Sequence, residues 1–302
     1  MSESALIAAA DHAARFWSYP VEGPLKPRDE EYMRMFCRML LETFNPYKPS
    51  VIVWPKLDDA ARERLVNLPF WDIAVQTEGR ARLRIQSFAR RITVEPLRSA
   101  FERMAFEENR HKEVLSHLVA AYGITLAPEP PYVEPRDPEW GWLVTGYSEC
   151  IDSFFAFGLF ELARRSGFFP PELVETFEPV IQEEGRHILF FNNWVKWYHR
   201  TMPWWRRPWF WLKTLWVWAY LIWERIGVAR DVGGGKQDAN FTAKGSEAVV
   251  GELDLGTLLD VCLAENDRRL SGYDPRLAKP MIMPRLARLA RLFIRPKRQK
   301  TA

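Results

Sequence analysis

Two short stretches constrain this chain more than any other feature. Residues 106–115 read FEENRHKEVL, and residues 181–190 read IQEEGRHILF. Each holds two adjacent glutamates, one variable residue, an arginine and a histidine, and together they use two of the chain's five histidines. Residues three apart on a helix share a face. Glu108 with His111, and Glu184 with His187, can therefore each present a carboxylate and an imidazole to one point. A lone Glu-x-x-His is commonplace and explains itself as chance. A matched pair with the same flanking residues fits a metal site better, because glutamate and histidine are seldom buried without partners.

The rest of the chain supplies a frame for such a site. Apolar periodicity predicts four long helices over 70–91, 96–122, 139–166 and 171–199. Pro96 falls in the first turn of the second, where its missing N–H costs nothing, while Gly167 ends the third and Pro171 opens the fourth. The connection APEPPYVEPRDPEWG divides them into two pairs, as in a four-helix bundle with one crossover. In a two-metal carboxylate bundle, two helices carry a Glu-x-x-His pair and the other two carry one glutamate each. The first segment offers Glu78, the only acid between Asp72 and Glu95. The third offers Glu149, with Asp152 one turn later, and both suit the depth of the motifs. Glu107 and Glu183 are turned about 100° from the neighbouring ligand candidates. They can accept the second ring N–H of each histidine, with Arg110 and Arg186 balancing their charge. The competing reading leaves these four on solvated helix faces.

These residues give the chain a resemblance to the ferritin-like di-iron carboxylate proteins, and EENRH resembles the motif of the soluble acyl-carrier-protein desaturases. The similarity covers about 70–200 and rests on the two E-E-x-R-H motifs; the flanking sequence does not carry the desaturase substrate across. The resemblance implies an all-α fold: a ferritin-like four-helix bundle with extra N-terminal and C-terminal helices. It implies six metal ligands, Glu78, Glu108, His111, Glu149, Glu184 and His187, with Glu108 and Glu184 bridging the metals. It also implies a hydroxyl one turn after Glu149, where Ser153 joins the bridging glutamates as a catalytic candidate. Asp152 departs from the pattern and can add or replace a ligand. Four carboxylates and two imidazoles suit two iron ions, or a manganese–iron pair, and the family likeness implies dioxygen as co-substrate.

Composition sets further limits. A net charge of +3 on 302 residues gives no argument for nucleic acid as a partner. Cys37, Cys150 and Cys262 form no CxxC pair, which favours a reducing compartment. The amino-terminal stretch contains Glu3 and Asp11 and lacks the basic start and long apolar core of a signal peptide. The expected location is therefore cytoplasmic. No dinucleotide, flavin or iron–sulfur fingerprint is present, so an oxidoreductase of this kind needs an external reductase as electron donor.

The expected layout is a helical extension at 1–69, the bundle at 70–200, a tryptophan-rich helix with a helical extension at 201–275, and a basic tail at 276–302. Segment 203–227 holds seven of the fourteen tryptophans, with an apolar run too short to cross a bilayer. Beside Arg206 and Arg207 they suit a peripheral membrane contact, a cap over the bundle, or a homodimer surface. The tail has nine Lys or Arg and no acid. It can meet anionic lipid, an acidic carrier protein or an acidic patch of a second subunit, or remain solvated. Phe154, Phe155, Phe157 and Phe160 read first as core packing and second as the wall of an apolar substrate pocket.

The function these features favour is a non-haem di-iron oxidoreductase. It would activate dioxygen to hydroxylate, desaturate or N-oxygenate a small apolar organic substrate, free or carrier-bound. One alternative is a ferroxidase or peroxide scavenger, against which the long extension beyond the bundle argues. Another is a non-enzymatic membrane-surface or assembly protein.

Overall fold

Helix signals account for nearly all the regular structure. The computed structural model describes residues 3–230 and 255–294, with side chains for 5–225 and 255–294. Among these residues there are ten α-helices: α1 (Glu3–Arg15), α2 (Glu30–Glu42), α3 (Asp59–Val66), α4 (Trp71–Ala89), α5 (Glu95–Tyr122), α6 (Pro138–Ser166), α7 (Pro171–Thr201), α8 (Arg207–Arg230), α9 (Leu255–Leu270) and α10 (Ile282–Phe293). Two 3-10 turns, Pro49–Val51 and Trp204–Arg206, complete the set. The all-α expectation holds, and the four long helices lie within two residues of their expected limits. The glycine-containing sequence of 231–245 predicts a loop, and it lies outside the described residues.

Local chemistry sets the helix ends. The Asp137 carboxylate accepts from the backbone N–H groups of Glu139 and Trp140, capping α6. Gly123 and Gly167 end α5 and α6 at φ +67° and +64°, a left-handed turn that glycine adopts without a Cβ penalty. Helices α4 to α7 form the bundle, and α2 packs against both α5 and α7. The core is aromatic at one end: the ring centroids of Phe101 and Trp142 lie 4.7 Å apart, and those of Phe88 and Trp194 lie 5.4 Å apart. Met35, Phe36 and Leu40 of α2 are completely buried in that same core.

The outer side of α6 is covered by later elements. Gly158 lets α9 approach closely: a Cβ there would stand 2.9 Å from the Cα of Cys262. Helix α10 buries Ala287 in a cluster with Phe154, Leu159 and Leu162 of α6. Part of the basic tail is therefore a packed helix, not a solvated strand of chain; residues 295–302 lie outside the described set. No helix among the described residues is long and apolar enough to cross a membrane.

Candidate metal centre

Helices α5 and α7 bring the two motifs face to face. The imidazole rings of His111 and His187 lie 5.6 Å apart, centroid to centroid. Around them the six carboxylate and imidazole candidates form two groups. Glu78, His111 and Glu184 each place a ligand atom within 4.8 Å of the other two, and Glu108, Glu149 and His187 do the same. Each motif's glutamate crosses to the opposite histidine. Glu184 Oε1 is 3.1 Å from His111 Nδ1, and Glu108 Oε1 is 2.8 Å from His187 Nδ1. Ser153 is buried on α6, with its hydroxyl 3.5 Å from Glu184 Oε2.

The outward nitrogens are held by the second glutamate of each motif. His111 Nε2 is 2.8 Å from Glu183 Oε2, and His187 Nε2 is 2.8 Å from Glu107 Oε2. A carboxylate accepts only, so each Nε2 donates and each Nδ1 turns a lone pair inward. Both Nδ1 atoms, Glu108 Oε1 and the two carboxylate oxygens of Glu149 are buried with no hydrogen-bond partner. Five orphaned acceptors converging on one space would be costly in a folded core. A divalent cation pair satisfies all of them, and this donor set of oxygen and imidazole nitrogen fits iron or manganese.

The electrostatics agree with that need. Burial, reinforced by the charges of Glu108 and Glu184 and opposed by His111, pushes Glu78 up to about 8. Burial and the same two carboxylates drive Glu149 well above the usual carboxylate range. Burial alone would lower both histidines, yet their carboxylate contacts lift them well above the ordinary imidazole value. Without a cation, the cluster must take up protons to be tolerated.

Around the cage lies a fully buried layer of charge. Arg186 donates through Nη1 to both oxygens of Glu107, at 3.2 and 3.1 Å, and through Nε to Thr43 Oγ1 at 2.6 Å. Its Nη2 donates to the Leu40 carbonyl. Arg110 pairs with Glu183 and donates to the carbonyls of Asn45 (2.6 Å) and Tyr47 (3.2 Å). The Tyr47 hydroxyl donates to Glu183 Oε2 at 3.1 Å. Although burial raises it, Glu107 is brought down to about 2 by Arg186 and His187. Solvated helix faces are thus excluded for Glu107, Glu183, Arg110 and Arg186. The roles of Thr43, Tyr47 and the carbonyls after α2 carry no sequence signal, because a helix leaves its last carbonyls unpaired whatever will later satisfy them.

Asp152 faces α8 and lies apart from the two ligand groups. Its carboxylate oxygens are both 2.9 Å from Arg225 Nη2 on α8, and one accepts from the Ser148 hydroxyl at 2.9 Å. It belongs to neither ligand group, and Glu149 occupies the inward position. Three residues on a helix turn the side chain by about 300°, which is enough to aim Asp152 at α8. The phenylalanine run also divides: Phe154 and Phe157 are core, while Phe160 lines a cavity.

That cavity, of ≈ 320 Å³, runs between α4 and α6. Glu78, Glu108, His111, Glu149 and Glu184 form one part of its wall, and Leu65, Trp71, Phe160, Leu173 and Phe177 another. The cage and an apolar compartment are therefore one continuous space.

Comparison with known proteins agrees with this geometry. Residues 70–149 match the family model described as Rubrerythrin. No curated protein and no solved structure matches the chain. The matched segment contains Glu78, Glu108, His111 and Glu149, while Glu184 and His187 enter through the fold. Over 70–149 the chain is similar to the rubrerythrin family, and the all-helical bundle that begins at residue 70 is consistent with a ferritin-like fold.

Proposed function

We propose that the protein is a non-haem di-iron oxidoreductase that uses dioxygen to oxidise a small apolar organic substrate. Glu78, Glu108, His111, Glu149, Glu184 and His187 would hold the two iron ions. Such a pair, when bound, would bring redox chemistry toward dioxygen to the site. Whether the substrate gains a hydroxyl or loses two hydrogens, dioxygen accepts four electrons. Two come from the substrate and two from an external donor.

The chain's own residues perform the remaining tasks. Glu107 and Glu183 orient the imidazoles, and Arg186 and Arg110 pair with those carboxylates. The Ser153 hydroxyl, hydrogen-bonded to Glu184, can hold or pass a proton at Oε2. The apolar wall excludes water and positions the substrate.

The observation that carries this reading is the cavity joining the cage to an apolar compartment, since iron or peroxide as substrate needs no such space. The rubrerythrin match favours that second reading, in which the protein is a ferroxidase or peroxide scavenger. Oxygen uptake by the reduced, iron-loaded protein separates the two. The oxidoreductase reading expects uptake to accelerate with a fitting organic molecule, and one ¹⁸O atom from ¹⁸O₂, or the loss of two hydrogens, to appear in its product. Uptake that tracks ferrous iron alone, across a broad set of organic molecules, overturns it.

A further inference from the structure

The cavity has a polar end that the cage does not use. Helices α4 and α6 run antiparallel: Glu78 and Glu149 meet in the cage, and Arg84 lies across Gly141. A Cβ on Gly141 would stand 3.5 Å from Arg84 Cγ, so the arginine stem rests against the α6 backbone. Here the lining consists of Arg80, Arg84, Thr145, Ser148, Asp152 and Glu224. Asp152 is engaged by Arg225 and Ser148, and Glu224 accepts from the Tyr220 hydroxyl at 3.3 Å. Among the described residues neither Arg84 nor Arg80 has a carboxylate within ion-pair distance, Glu224 and the Tyr220 hydroxyl acting on Arg84 only at longer range; Arg80 hydrogen-bonds Thr77 Oγ1 at 3.5 Å. Thr145, one turn after Gly141, has a buried hydroxyl with no partner. A half-buried cation with no carboxylate in direct contact, and an orphaned hydroxyl lining the same cavity, leave donors for an anion.

We propose that the substrate is an organic acid whose carboxylate is received by the Arg84 guanidinium and the Thr145 hydroxyl. This rests on the oxidoreductase reading above and names its substrate class. The apolar body then passes the cage toward Trp71 and Phe160. Six residues of α4 separate Glu78 from Arg84, about 9 Å along the helix, so the oxidised position lies several bonds from the carboxylate.

Calorimetric titration of the metal-loaded protein with decanoate and with decan-1-ol tests this. Decanoate should bind roughly ten- to a hundred-fold more tightly, the span of charged hydrogen bonds. Arg84→Met should remove most of that advantage and Thr145→Val a smaller part, with decanol binding unchanged as proof that the cavity is intact. Equal affinities for the two ligands, or an advantage that survives Arg84→Met, overturn the proposal. If both molecules stimulate oxygen uptake equally, the headgroup site fails while the oxidoreductase reading stands. If neither binds nor alters uptake, the headgroup site is overturned and the cavity argument falls with it.

A separate surface carries a second inference. Helix α8 buries Phe210, Thr214, Val217 and Leu221 on one side. The opposite side is also apolar: Trp209 is 72% exposed, Trp216 63% and Trp223 70%. Trp204, Trp205 and Trp211 are exposed beside them, spreading the patch over an arc of roughly 160°. Arg206 and Arg207 adjoin it, and the helix's only described acid, Glu224, lines the cavity instead. Trp218 shares a small crevice with Met281 and Ile282, so α10 starts beside α8, adding exposed Leu286 and Leu289 with Arg285 and Arg288. A second copy laid on this face would set cation against cation. Arg288 keeps an ion pair with Asp267 of α9 at 3.7 Å, but Arg206, Arg207 and Arg285 leave the tryptophan face with an excess of cation, which complements anionic headgroups over acyl chains.

We infer that α8 and α10 rest on an anionic lipid surface. The full chain should co-sediment with phosphatidylglycerol-containing vesicles, bind phosphatidylcholine vesicles at least several-fold less, and lose binding in Trp209→Ser/Trp216→Ser/Trp223→Ser. Circular dichroism of that variant checks its fold. Absence of vesicle binding overturns the inference, as does a lipid-free dimer that the triple variant converts to monomer.

Discussion

Glu183 and Glu107 show how single side chains set the properties of their neighbours. Glu183 holds His111 Nε2 and Arg110 together in a fully buried position. Replacing it with glutamine removes the charge that both partners face. Iron affinity should fall about ten- to a hundred-fold in chelator competition, and the metal-free protein should lose about 3–5 kcal/mol because Arg110 stays buried without its counter-charge. Asp152→Asn, by contrast, should leave iron content unchanged, since its partner is Arg225. The motif spacing made Glu108, His111, Glu184 and His187 legible as one inward face. It could not separate Glu149 from Asp152, because the deciding partner lies 73 residues further along the chain. The doubled glutamates, by contrast, already suggest a carboxylate for each histidine across the bundle axis, and Glu107 Oε2 stands 2.8 Å from His187 Nε2.

At the scale of elements, α2 acts as a buttress to the centre. Its Leu40 carbonyl and Thr43 hold Arg186, and the segment that follows holds Arg110. Thr43→Val leaves Arg186 Nε buried without an acceptor and should cost about 1–3 kcal/mol in denaturant unfolding. Glycines report the packing of α6 with comparable clarity. At Gly158 a Cβ would meet the Cα and N of Cys262 at 2.9 and 3.0 Å, and backbone cannot swing aside. Gly158→Ala should therefore lower stability by about 1–3 kcal/mol. At Gly185 the nearest atoms are 3.6 and 3.8 Å away, so alanine fits and should gain up to about 1 kcal/mol of helix propensity. Helix limits were readable because proline, glycine and apolar spacing act locally. The docking of α2 and α10 was not, since an amphipathic helix shows that one face is covered and not by what.

Over the whole molecule, the two ends of the described chain are tied together. The backbone N–H of Tyr19 donates to Asp274 Oδ2 at 2.9 Å, Arg276 pairs with the same carboxylate, and Trp17 bridges to Tyr273. Burial raises the Asp274 pKa, but Arg276 and the Tyr19 N–H bring it down to about 2. A lowered carboxylate stabilises the fold fully above the unfolded value of about 4 and stops doing so as pH falls through about 2. Asp274→Asn should remove about 2 kcal/mol at neutral pH and flatten the loss of stability between about pH 4 and pH 2, as read from unfolding curves across that range.

The central claim is that six residues on four helices hold two metal ions. Elemental analysis after anaerobic loading with ferrous iron tests it most directly. The wild-type chain should retain about two iron ions, while Glu108→Ala and His187→Ala, checked for retained helix, should each retain far less. A wild-type chain that holds no iron, or the same iron content in all three proteins, would contradict it.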